Sequence, residues 1–167
     1  MVFELAVIIL ALVVLGLGLR RVGSAYLLFR GTRAITCPGC GQPVAVDVAA
    51  GRAALTGVFR SPILRVRDCS RWTEQRDCAQ ECLAQIKAAP ESGVIRTILT
   101  RWYKGRSCVC CGRPLAEVHW MQHKPCLMSP EMRILEWNDI RPERIPRALE
   151  DHGPVCWNCF VAETRTW

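Results

Sequence analysis

Two cysteine pairs constrain this chain more than any other stretch. They are Cys108-Val109-Cys110-Cys111 and Cys156-Trp157-Asn158-Cys159. In each, the outer cysteines have the C-x-x-C spacing, which delivers two thiolates to one ion. Gly112 follows the first pair and lets the backbone turn so that its N–H groups face the sulfurs. Cys108, Cys111, Cys156 and Cys159 therefore form a candidate four-sulfur metal site. Tetrahedral sulfur suits zinc and also iron.

The first pair has an echo. Residues 37 to 45 and 108 to 116 share the pattern C-x-x-C-G-[QR]-P-[VL]-A, which points to a repeated module. Cys69, Cys78 and Cys82 follow the earlier copy. A second site is expected from four of Cys37, Cys40, Cys69, Cys78 and Cys82. If that stretch is helical, Cys78 and Cys82 are four apart on one face.

Setting aside the first 33 residues leaves 134 of the 167. Two halves of this size each have a core supplying only roughly 3–5 kcal/mol, so each needs a staple. The cysteines are the obvious staples, and there are eleven. Their odd number, the C-x-x-C spacing and the glycine after each first pair favour metal over a secreted disulfide framework. The formal charge of +7 suggests nucleic acid at first sight. Arg20, Arg21, Arg30 and Arg33 lie beside the N-terminal apolar stretch, however, and the remainder carries 18 basic against 14 acidic groups. Two zinc ions on eight thiolates would cancel that excess. No nucleic-acid partner is expected.

Residues 2 to 19 are apolar except for Glu4, and this length is near the lower limit for a membrane-spanning helix. No basic residue precedes the run and no A-x-A cleavage pattern follows it, so a retained anchor is expected over a cleaved signal. The arginines all follow it, which predicts a single pass with the C-terminal region in the cytoplasm. Residues 22 to 29 continue the helix as a stalk or along the membrane interface.

Further along, Pro43–Val48 and Ile63–Asp68 alternate as strands, and Ala49–Gly57 is a weakly specified connection. Thr73–Ala89 reads as a helix carrying Cys78 and Cys82 and stopped by Pro90. Ser92 caps an amphipathic helix over Gly93–Tyr103. Strands are expected over Leu115–Trp120 and Arg133–Trp137, then a short helix to Asp151 and a break at Gly153-Pro154. The last cysteine pair leads into a helical run at Phe160–Glu163.

This order of knuckle, strands and a second cysteine pair entering a helix resembles the treble-clef and zinc-ribbon group of metal modules. The likeness covers about 60 residues of the second half and, less completely, the first half. It implies Cys108, Cys111, Cys156 and Cys159 as ligands, and a structural unit or binding platform as the role. The chain departs from the simplest pattern at Cys110 and in the 44 residues between the pairs. The expected fold class is α+β: one transmembrane helix followed by two small cysteine-ligated modules. The expected division is an anchor and juxtamembrane helix (1–33), a first metal-binding module (34–90), a connecting amphipathic helix (91–106) and a second metal-binding module (107–167).

The expected function is a non-catalytic, membrane-anchored zinc protein, acting as a scaffold or accessory subunit for a protein partner, with no small-molecule substrate. The alternatives are a rubredoxin-like iron site for electron transfer and a thiol–disulfide oxidoreductase at Cys156 and Cys159. Glu117, His119 and His123 lack the H-E-x-x-H order of a zinc peptidase and read as surface or packing residues. Cys110 and Cys126 are left over, with burial the expected fate of each and a reactive thiol the alternative. Some of the six tryptophans are expected at an interface and most in the core.

Overall fold

The computed structural model describes residues 2–58, 60–72, 78–115 and 117–164. Helix α1 runs unbroken over Val2–Phe29. It is long and apolar enough to cross a membrane, and its most apolar stretch is not buried by the rest of the chain. Only its last turns enter the protein body, where Phe29 is buried.

Strands β1 (Arg33–Thr36), β2 (Pro43–Val48) and β3 (Val66–Cys69) form an antiparallel sheet in that order. β2 matches its expected bounds because its β-branched residues Val44, Val46 and Val48 alternate onto one face and are all buried there. Helix α2 (Ala50–Thr56) occupies the stretch read as a loose connection. Three of its seven residues are alanines buried at one face, and alanine is the strongest helix former. Helix α3 (Cys82–Ala88) closes this core through Ile86, which packs with Phe29, Ala53 and Val66.

The helix expected over Thr73–Ala89 is thus shorter than its sequence reading. Residues 73–77 lie outside the described residues, and Cys78 is on a loop. Gln80 is the reason: its φ of 56° is left-handed and interrupts any helix between Cys78 and Cys82. Its side-chain oxygen accepts the Val66 N–H at 3.0 Å, which ties this bend to β3.

Helix α4 (Ile95–Tyr103) follows the predicted amphipathic pattern, with Ile95, Leu99 and Tyr103 buried. Ser92 does not cap it, since its hydroxyl donates back to the Ala89 carbonyl. The cap position is Val94, and the first turn is held by β1 instead: the Ile95 N–H donates to the Thr32 carbonyl, and Gly93 accepts from Ala34. Ala34, α4 and Ile145 share one core with Trp102, Trp120 and Trp137 around it.

The second sheet has the order β5 (Ile134–Glu136), β4 (Cys126–Met128), β6 (Gly153–Val155), all antiparallel. The expected strand over Leu115–Trp120 is absent among the described residues there, and the central strand is β4. Between β5 and β6 come two 3-10 turns and helix α5 (Ile145–Asp151), close to the expected short helix. The predicted break at Gly153-Pro154 is an edge strand, where proline's missing N–H costs no ladder bond. Helix α6 (Trp157–Thr164) ends the described chain.

Candidate metal centre

The four thiols of Cys108, Cys111, Cys156 and Cys159 all lie within 4.8 Å of one another. The Sγ atoms of Cys108 and Cys159 are 3.9 Å apart, and those of Cys111 and Cys156 are 3.8 Å apart. A zinc ion at the centre of a tetrahedron with Zn–S bonds of about 2.3 Å sets its sulfurs about 3.8 Å apart. A disulfide would need about 2.05 Å. All eleven cysteines are free thiols. The donor set therefore fits a metal ion: four soft ligands converge on one centre, with two of the sulfur pairs at the edge length a tetrahedral ion requires.

Local backbone geometry explains how residues 48 apart in sequence meet. Gly112, at φ 69°, turns the chain after the first pair, and its N–H donates to the Cys108 carbonyl at 2.8 Å. The Cys108 N–H donates to the Arg113 carbonyl at 2.8 Å, closing the knuckle. The Val109 N–H then donates to the Pro154 carbonyl at 3.0 Å, docking the knuckle on β6. β6 leads directly into Cys156, whose own N–H points at the Cys108 sulfur at 3.3 Å. Cys159 follows on α6.

The electrostatics suit thiolates. Burial works to raise the Cys108 thiol, but the backbone N–H groups of Cys156, Cys111 and Cys110 outweigh it and bring the group down to about 6. The Cys159 thiol is raised, first by its hydrogen bond to Cys156, so within the free quartet the protons gather there. A bound cation reverses this, because a coordinated thiol is deprotonated.

Cys126 is fully buried against Cys108 and Val155, as expected for a small apolar residue. Its sulfhydryl donates to the Lys124 carbonyl at 3.4 Å. Cys110 corrects its expectation: it occupies the outer turn of the knuckle and is exposed. His119 and His123 are exposed and join no metal-holding group among the described residues. The His123 ring stacks on Trp157 with centroids 6.0 Å apart, and both histidines line a cleft of about 240 Å³ beside Cys156.

In the first half, the knuckle repeats in three dimensions. Gly41 has φ 66°, its N–H donates to the Cys37 carbonyl at 2.8 Å, and the Cys37 N–H donates to the Gln42 carbonyl at 2.8 Å. Cys37 and Cys69 pack against the core that contains Cys82. The space beside Gly39 is bordered by the Glu81 carboxylate, which places this knuckle at the start of α3. Among the described residues, Cys37, Cys40, Cys69, Cys78 and Cys82 do not close to the mutual 4.8 Å of the other quartet.

The described tryptophans pack against the cores without being buried in them: Trp102, Trp120, Trp137 and Trp157 are half-buried, Trp102 donates to the Leu149 carbonyl at 3.0 Å, and Trp120 meets Trp137 edge to face. Trp72 is exposed, and Trp167 lies outside the described residues. No family model, curated protein or solved structure matches the chain.

Proposed function

We propose that this chain is a membrane-anchored, non-catalytic zinc protein whose sulfur-bound ions hold a rigid platform for a protein partner, as an accessory subunit of a membrane complex. The observation that carries the reading is the quartet at Cys108, Cys111, Cys156 and Cys159. Four protein sulfurs complete a tetrahedral ion and leave no position for substrate, which is the mark of a structural site. The knuckle, the antiparallel strands and the cysteine pair opening α6 support a treble-clef-like arrangement.

α1 would cross the membrane, with the arginines after its apolar stretch holding the remainder on the cytoplasmic side. A reducing compartment agrees with thiols kept for metal. A second zinc is assigned to the first half. Its support is the knuckle at Cys37 and Cys40, which has the same glycine conformation and hydrogen bonds as the one at Cys108. Cys69, Cys78 and Cys82 are the sources of its remaining ligands, and small local movements on binding would complete the site. Nucleic acid and small-molecule substrates have no part in this reading.

Metal analysis of the full chain, purified under nitrogen in detergent, tests it. Two zinc ions per chain and no visible absorption are expected. One ion would remove the first-half site. Visible iron–thiolate bands would replace zinc with a rubredoxin-like electron-transfer centre. Rapid alkylation of Cys156 and Cys159 in the metal-loaded protein would replace it with a dithiol oxidoreductase.

A further inference from the structure

The last turns of α1 carry a covered face. Val22, Ala25 and Leu28 are half-buried at three-residue spacing, and Phe29 is buried. The helix packed along this face is α2, whose buried alanines, Ala50, Ala53 and Ala54, permit a close approach. Ala50 and Ala53 share a core with Phe29, whereas Ala54, one residue on, is buried outside that core, so α2 leads from the end of α1 back along the half-covered face at Ala25 and Val22. Seven helical residues span about 10 Å, which is also the distance along α1 from Phe29 back to Val22. The C-terminal end of α2 therefore reaches the level of Val22.

Leu19, the last residue of the apolar stretch, is only about 4.5 Å further down the same helix. The headgroup layer on each side of a bilayer is roughly 5–8 Å deep. The end of α2 and the turn after it thus sit at headgroup level if α1 crosses the membrane. There the body exposes Leu55 (69%) and Ile63 (46%). Arg52, Arg60 and Arg65 are exposed around them and form no ion pair among the described residues. Apolar tips ringed by unpaired guanidinium groups are the composition of a segment lying in an anionic lipid interface.

We infer that Leu55 at the end of α2, together with Ile63 and the arginines Arg52, Arg60 and Arg65, forms a second membrane contact, seated among the anionic phospholipid headgroups of the bilayer that α1 crosses. The inference rests on the membrane reading of α1. Two contacts, with α1 and α2 packed together, fix the orientation of the metal-bearing body over the membrane instead of letting it swing on a single stalk.

The test uses the full chain in nanodiscs of phosphatidylcholine alone, or of phosphatidylcholine and phosphatidylglycerol in equal amounts. A photoreactive diazirine residue replaces Leu55, Leu12 or Met121 in turn, and phospholipid adducts are read by mass spectrometry. Leu12 lies in the apolar stretch, and Met121 is 96% exposed in the second half. Adducts at Leu12 and Leu55 but not Met121 are expected, with the Leu55 yield several-fold higher when phosphatidylglycerol is present. In an Arg52→Gln, Arg60→Gln background that difference should disappear. Adducts at Leu12 without any at Leu55, or equal adducts at Leu55 and Met121, would overturn the inference and leave α1 as an anchor. Absence at Leu12 would bring down the membrane reading and this contact with it. A Leu55 yield indifferent to phosphatidylglycerol would overturn the anionic assignment.

Discussion

The Val109 side chain rests directly on Gly153: a Cβ built at Gly153 would meet the Val109 Cγ1 at 2.7 Å. This contact and the adjacent hydrogen bond from the Val109 N–H to the Pro154 carbonyl join the two cysteine pairs. The backbone at Gly153 is not left-handed, so the glycine is required here for space alone. Gly153→Ala should push the knuckle off β6, at a cost of about 1–3 kcal/mol typical of overpacking. The expected result is a zinc affinity about tenfold or more weaker in a chelator competition. Val109→Ala in the same chain should restore most of it by clearing the space.

Ligand replacement separates the quartet from its neighbour in sequence. Cys111→Ser should lose one metal equivalent and loosen the second sheet, because apparent binding energies of about 10–16 kcal/mol for structural zinc become folding energy. Cys110→Ser, at the adjacent position in the same turn but exposed and outside the four-sulfur group, should leave the metal count and the thermal midpoint unchanged. Loss of metal from both variants alike would show that the ligand set is misassigned.

What the sequence disclosed and what it hid follow from the range of the forces involved. Cysteine spacing is local chemistry, so Cys108, Cys111, Cys156 and Cys159 were legible, as were β2 and the stripe of α4, where periodicity spans several residues. β4 was hidden because three residues cannot display alternation, and its place in the sheet is set by distant partners, Leu135 and Pro154. The bend at Gln80 was equally invisible, since a glutamine becomes left-handed here only with its side chain held on Val66. Alanine-rich α2 lacks the caps and apolar stripe that mark a helix in sequence, yet its alanines favour a helix even before α1 covers it.

Arg33 is the next point of leverage. It is 1% exposed, and its guanidinium donates to the carbonyl oxygens of Phe29 (2.9 Å), Gly31 (3.0 Å), Leu28 (2.9 Å) and Pro90 (3.2 Å). It thereby caps the C-terminal carbonyls of α1 and ties them to the end of α3. Hydrogen bonds to a charged group contribute about 1.5–3 kcal/mol each when buried, so Arg33→Met should destabilise the body by about 3 kcal/mol or more. Arg33→Lys should recover little, because an ammonium cannot span four carbonyls arranged for a planar fork. Denaturant midpoints of the detergent-solubilised full chain read both effects, with the metal count as a control that the centre is intact.

Alkali should find Cys126. Burial, reinforced by the nearby carboxylates of Glu136 and Asp139, pushes its thiol up to about 12 from an ordinary value of 9.0. The folded form therefore holds this proton more tightly than the unfolded form, so the associated stabilisation is fully present below pH 9. It is lost as pH rises from about 9 through about 12. A shift of this size corresponds to a few kcal/mol, of the order of 4, which is a large share of the stability of so small a core. Cys126→Ala removes the titrating group and leaves a cavity of only one sulfur atom, so it should be somewhat less stable at neutral pH yet lose less stability between pH 9 and 12. Urea unfolding followed by tryptophan fluorescence at a series of alkaline pH values measures that slope. An unchanged slope in the variant would place the alkaline sensitivity elsewhere, with Tyr103 next in line: burial raises its phenol, and its hydroxyl donates to the Cys126 carbonyl.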